Sequence, residues 1–164
     1  IFMKILLNIY LFTLALNIGA QICAGVFVAP VIFRAALYIE ESTLSTLESG
    51  LLMTQIFIKG NYLMLLAAGL ALLSEIALYP KTKNFKLKFS TLMLSVIFAS
   101  LASLFAFYFT PYIIEASKLG LDGMDEKFTA IHSASEVTMK IMLITQALLF
   151  FLRFNASLSF KGKE

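Results

Sequence analysis

Apolar residues fill this chain in four long blocks, at about 5–30, 46–79, 90–110 and 123–154, separated by short polar stretches. A bilayer hydrocarbon core requires about 20 helical residues to cross. Each block meets that length, so the pattern predicts an all-α integral membrane protein, a single bundle of four transmembrane helices. The boundaries carry their own signals. Pro30 is expected at the outer end of the first helix or at a kink, because its ring lacks a donor and clashes one turn back. Ser45-Thr-Leu-Glu48 is a capping-box pattern at the head of the second helix, and Pro80 stops that helix. Pro111 is expected to end the third helix, and Asp122-Gly-Met-Asp125 to cap the fourth.

Composition agrees with a membrane setting. The chain is 60% hydrophobic and only 14% charged, with a mean hydropathy of +0.88, whereas soluble domains carry about 25% charge. Its net charge of +3 is explained by topology. Lys4, the run Lys81-Thr-Lys83-Asn-Phe-Lys86-Leu-Lys88, Arg153, Lys161 and Lys163 fall at one end of the predicted bundle. The acidic stretches 34–50 and 112–127 fall at the other, with Arg34, Lys118 and Lys127 as their basic residues. The positive-inside rule then places both termini in the cytoplasm, and the expected location is a bacterial inner membrane. The first block is expected to remain as an uncleaved span, since its apolar run is too long for a signal h-region and Ile18-Gly19-Ala20 is a poor cleavage site. With no Trp, six tyrosines must supply any interfacial belt. No basic stripe with interleaved aromatics is present, so nucleic acid is set aside as a partner. The single Cys23 leaves no internal disulfide.

Polar residues inside the apolar blocks are costly and mark candidate sites. His132, the only histidine, is followed by Glu136 and Lys140 at i, i+4 and i+8, with Ser135 beside them. They share one helix face. Counted from the inner ends of their helices, Glu136, Lys140, Asn17, Gln21, Lys59 and Gln55 all fall toward the outer part of the membrane. The expectation is one polar cluster of His132, Ser135, Glu136, Lys140, Lys59, Gln55, Asn17 and Gln21. Each member also has a structural reading. Glu136 and Lys140 form an i,i+4 pair that neutralises itself; Lys59 snorkels to water; Asn17 and Gln21 act as interhelical glue; His132 bonds a loop carbonyl or Ser135. Glu75 and Arg153, near the inner ends of the second and fourth helices, are expected to pair.

Chemistry beyond this is sparse. A lone histidine excludes bis-histidine haem within one subunit. His132, Met139 and Cys23 would make a chemically sensible soft copper set, yet Cys23 lacks a CxxC context and the seven methionines are scattered. No metal site and no cofactor are predicted. No nucleophile motif, zinc-hydrolase motif or phosphate loop occurs, so nothing in the sequence supports an enzyme.

Two patterns bear on packing. Ser95, Ala99, Ala102 and Ala106 form a small-residue stripe on the third helix that lets a neighbour approach closely. Pro30-Val-Ile-Phe-Arg-Ala35 and Pro111-Tyr-Ile-Ile-Glu-Ala116 share Pro, then Ile two later, then Ala five later. Two hairpins in parallel repeat would give this echo, and so would chance similarity of two Pro-initiated loops.

Gly25-Val-Phe27-Val-Ala29-Pro30-Val-Ile-Phe33 resembles the glycine, aromatic and Ala-Pro signature of small four-span membrane proteins, the bacterial domain of unknown function 4149 and the related eukaryotic transmembrane protein 205. Pro111 after the third block matches a second family feature. Phe128-x-x-Ile131-His132-x-x-Ser135 is similar to a third, a Phe-x-x-Leu-His-x-x-Ser element. The chain departs at Met139, where the family pattern has Asn four residues after the motif serine. The resemblance implies the four-span fold and supplies no chemistry. Short loops and the small-residue stripe lead to the expectation of an accessory or assembly component of a larger membrane complex. Its partners would be the lipid bilayer and other subunits or further copies of itself. The competing expectations are an ion or small-solute transporter or channel using the outer polar cluster, and, third, a haem- or copper-handling protein.

Overall fold

The computed structural model describes residues 2–39 and 44–159. Glu40 and Glu41 of the first acidic stretch, and Lys161 and Lys163 of the basic tail, lie outside them. Four helices account for most of the described chain: α1 (Phe2–Phe33), α2 (Thr46–Lys81), α3 (Phe85–Lys118) and α4 (Glu126–Leu158). At 1.5 Å per residue a helix of 32 residues is about 48 Å long. The three residues 82–84 between α2 and α3 and the residues 119–125 between α3 and α4 cannot span that length, and Ser49 Oγ donates to the Ile32 carbonyl at 3.4 Å where α1 ends and α2 begins, so consecutive helices run antiparallel. The first and last described residues therefore lie at one end, together with the lysine loop. The helices stand in a ring in chain order, with α2 packed on α1 and α3, and α4 on α3 and α1.

Helix starts follow local chemistry. At α2 the capping box forms as the sequence predicts: Ser45 Oγ accepts from the Glu48 N–H at 3.2 Å, and Glu48 Oε2 accepts from the Ser45 N–H at 2.7 Å. α3 begins at Phe85, earlier than the apolar block, because Asn84 Oδ1 accepts from the Leu87 N–H at 3.2 Å and caps the lysine-bearing turn. At α4 the cap is Asp125, whose Oδ1 accepts from the Phe128 N–H at 2.7 Å; Asp122 lies in the preceding 3₁₀ turn, Gly120–Gly123. That turn needs both its glycines. Gly120 sits at φ +64°, and a Cβ on Gly123 would come within 2.0 Å of the Ala116 carbonyl oxygen.

The expectation that Pro111 ends the third helix is corrected: α3 continues to Lys118, and α1 likewise passes Pro30 to reach Phe33. In both helices a π-turn precedes the proline. Residues Cys23–Val28 are π-helical, with the Ala29 N–H bonded to the Ala24 carbonyl; residues Phe105–Phe109 are π-helical, with the Thr110 N–H bonded to the Phe105 carbonyl. Each bond is i→i−5 and falls one residue before the proline. The wide turn makes room for a ring that would otherwise clash with the carbonyl one turn back. The echo around Pro30 and Pro111 is thus a repeat of local backbone geometry.

The core draws on all four helices, with Tyr10, Leu14, Met64, Phe98, Met142 and Leu149 buried. Of the small stripe, Ser95 and Ala102 are fully buried, and Ala99 and Ala106 pack against the core. Large apolar side chains such as Phe12, Leu73, Phe107 and Phe151 cover the outside, as a lipid-facing surface requires.

Candidate functional site: a cavity in the acidic half of the bundle

At the basic end the bundle is closed by a buried polar knot. Arg153 Nε donates to Glu75 Oε1 at 2.7 Å, Arg153 Nη2 pairs with Glu75 Oε2, and Arg153 Nη1 reaches Thr82 Oγ1 at 3.3 Å. Tyr10 donates its hydroxyl to Glu75 Oε1 at 3.1 Å. The predicted Glu75–Arg153 pair is present, and Tyr10 and Thr82 complete it. Their types alone gave no sign of this role, because only the fold brings residues 10, 75, 82 and 153 to one level.

Above the core a second polar layer joins α1 to α4. Asn17 Nδ2 donates to Gln146 Oε1 at 2.7 Å, and Gln146 Nε2 donates to Gln21 Oε1 at 3.3 Å. Asn17 and Gln146 are buried. They are therefore interhelical links, as the glue reading of Asn17 and Gln21 expects.

Beyond that layer the helices separate around a cavity of about 410 Å³, within the usual size range of small-molecule sites. Its walls are largely apolar, with Val26, Phe33, Met53, Phe57 and Ile113 among them; Gln21, His132, Ser135, Glu136 and Lys140 also line it. Two glycines widen it. Gly25 on α1 and Gly50 on α2 both line the cavity, and a Cβ at either would meet nothing within 4 Å. The α1 wall is thinly held, with no buried residue in Cys23–Val28 or in Ala29–Phe33.

The eight residues expected to cluster are divided by the fold. Gln21, His132, Ser135, Glu136 and Lys140 share the cavity. Asn17 lies one turn deeper and lines a smaller cavity of about 120 Å³. Lys59 and Gln55 are exposed and line neither, because their positions on α2 turn away from the cavity-facing Gly50, Met53, Thr54 and Phe57. For these two the single-cluster expectation is corrected. On α4, Glu136 stands between His132 Nε2 at 3.4 Å and Lys140 Nζ at 3.8 Å. The His132 ring stacks on Phe128 at 5.7 Å, and its backbone carbonyl accepts from Ser135 Oγ at 2.7 Å. His132 and Met139 line the cavity but the exposed Cys23 does not, so the copper set considered from sequence is not assembled there. No group of three or more His, Cys, Asp or Glu side chains suited to a metal occurs among the described residues.

Sequence reasoning missed two contributors. Asn61 Nδ2 donates to Thr110 Oγ1 at 2.9 Å, and that hydroxyl donates to the Phe105 carbonyl at 3.0 Å, tying α2 to the π-turn of α3. The glycine pair was legible as residues, but not as empty space.

Among known proteins, a family model described as Domain of unknown function (DUF4149) matches residues 12–121. The match takes in the Ala-Pro segment and Pro111 and ends before Phe128. No curated protein and no solved structure matches the chain.

Proposed function

The chain belongs to the DUF4149 family, which is defined without an assigned chemistry, and we propose from its geometry that it binds a small, largely apolar molecule in the acidic half of the bundle. One observation carries this reading. A cavity of about 410 Å³ is bounded mainly by apolar side chains, carries a few polar residues of α1 and α4 in its lining, and lies above the buried core. Sites for small molecules combine these features. A transporter that cycles such a ligand is the natural extension, and it would require the Asn17–Gln146 layer and the Glu75–Arg153 knot to part. The accessory-subunit reading loses one support, because Ser95 and Ala102 spend the small-residue stripe inside the bundle.

Absence of tryptophan supplies the test. Phe33→Trp puts a sole indole on the cavity wall, and the protein in lipid nanodiscs is titrated with the methyl ester of 9,10-dibromostearic acid. Saturable quenching is expected. It should vanish when Gly25→Leu and Gly50→Leu fill the cavity, a change that also favours the helices, since Gly costs about 1 kcal/mol against a good helix former. Quenching that never saturates, or that is the same with the cavity filled, rejects the site.

The distribution of lysines supports an orientation with both termini in the cytoplasm and the cavity toward the outer side of a bacterial inner membrane. In a Cys23→Ser background, Asp122→Cys should react with an impermeant thiol reagent applied to intact cells, and Lys83→Cys should react only after lysis. The opposite pattern inverts the topology.

A further inference from the structure

The amide layer beneath the cavity has a direction, and it ends on an unused donor. Gln146 Nε2 donates to the carbonyl of Met142, one turn back on its own helix, at 3.2 Å. That bond orients the Gln146 amide, so Oε1 faces Asn17 and accepts from Nδ2 at 2.7 Å. The other Nε2 hydrogen goes to Gln21 Oε1 at 3.3 Å. Each bond dictates the next, and the last group in line, Gln21 Nε2, is buried with no hydrogen-bond partner among the described residues. Ser74 Oγ shares that condition, but it neighbours the Glu75 knot at the far end of the bundle. An unpaired buried donor costs more than a made hydrogen bond returns, so Gln21 is primed to accept a partner.

The position of Gln21 says what kind. Gln21, Phe57, Phe105 and Met139 border both the main cavity and the inner one of about 120 Å³, forming the septum between them. Met139 is unbranched and readily re-packed, so a ligand can part the septum there. The inner cavity is lined by the carboxamides Asn17, Gln21 and Asn61 together with apolar residues and Gly60, and among the described residues no ionisable side chain lines it. A charged group seated there would lack a counter-charge, which is prohibitive in such surroundings. The ionisable residues lie outside the septum, at His132, Glu136 and Lys140.

We propose that the ligand carries an uncharged carbonyl oxygen, of ester or ketone type, which seats on Gln21 Nε2 at the septum while its apolar body fills the main cavity. This rests on the binding reading above and names its substrate class. The Phe33→Trp protein in nanodiscs tests it with two probes of equal chain length, methyl 9,10-dibromostearate and 9,10-dibromooctadecane, which differ in the carbonyl group. The ester should bind about tenfold more tightly, the worth of one neutral hydrogen bond, and Gln21→Leu should make the two equal. In the protein that keeps Gln21, a carbonyl-¹³C ester should show an infrared band displaced to lower wavenumber, saturating with the quenching and lost when Gly25→Leu and Gly50→Leu fill the cavity. This second measurement does not depend on the Gln21 variant folding. Saturable binding of both probes with equal affinity, or an ester preference that survives Gln21→Leu, overturns the carbonyl assignment and leaves the cavity standing. Failure of both probes to saturate removes the cavity reading itself.

Discussion

In α1, the π-turn Cys23–Val28 leads into Pro30; in α3, the π-turn Phe105–Phe109 leads into Pro111. The backbone device is the same, and its surroundings are opposite. Around the α3 turn, Phe105 and Phe109 are buried, Phe105 meets Phe57 edge-on at 6.1 Å, and Thr110 is bonded to Asn61. Counting back from each proline, α1 has Ala24 where α3 has Phe105, Val28 where it has Phe109, and Ala29 where it has Thr110. None of those three α1 residues is buried. Ala29 of the smaller set and Phe105 and Thr110 of the larger line the same cavity. A broken helical ladder therefore does not by itself make a segment mobile or functional. The side chains around the break decide how tightly it is packed, and here a tightly packed copy and a loosely packed one each supply part of the wall of the site.

The sharpest way to break this comparison is to truncate one aromatic in each π-turn, a buried one in α3 and an exposed one in α1. Phe105→Ala should cost about 3–5 kcal/mol, as loss of a large core side chain does. Phe27→Ala, at an exposed position of the α1 turn, should stay within about 0.5 kcal/mol. Reversible unfolding in mixed micelles measures both, and equal costs would mean that α1 is packed as tightly as α3.

A smaller effect sharpens the role of the tether. Thr110→Val removes the hydroxyl that joins Asn61 to the Phe105 carbonyl and should cost about 1 kcal/mol, near the upper part of the range for polar links between membrane helices. The smallest effect is dynamic. Backbone amides of 31–33 should exchange with solvent deuterium faster than those of 112–118, because segments with few buried contacts open at lower free energy. Equal protection past both prolines would erase the distinction.

Much of this molecule was legible before any coordinates. Block length and composition determined four spans, since a hydrocarbon core admits few other ways to satisfy a backbone. The capping box at Ser45 and Glu48 is a contact between residues three apart, so the sequence alone specifies it. The Glu75–Arg153 pair followed from two charges at matching depth near the inner ends of α2 and α4, which run parallel to each other. What only the tertiary structure decided is the rotation of each helix about its axis. That rotation turns Lys59 and Gln55 away while bringing Gln21 and Lys140 to one cavity, and it sets Gln146 between Asn17 and Gln21. A helix apolar on nearly every side carries little amphipathic signal to fix its facing. Facing is then set by close packing and by which buried amides find partners, and both depend on the neighbouring helices.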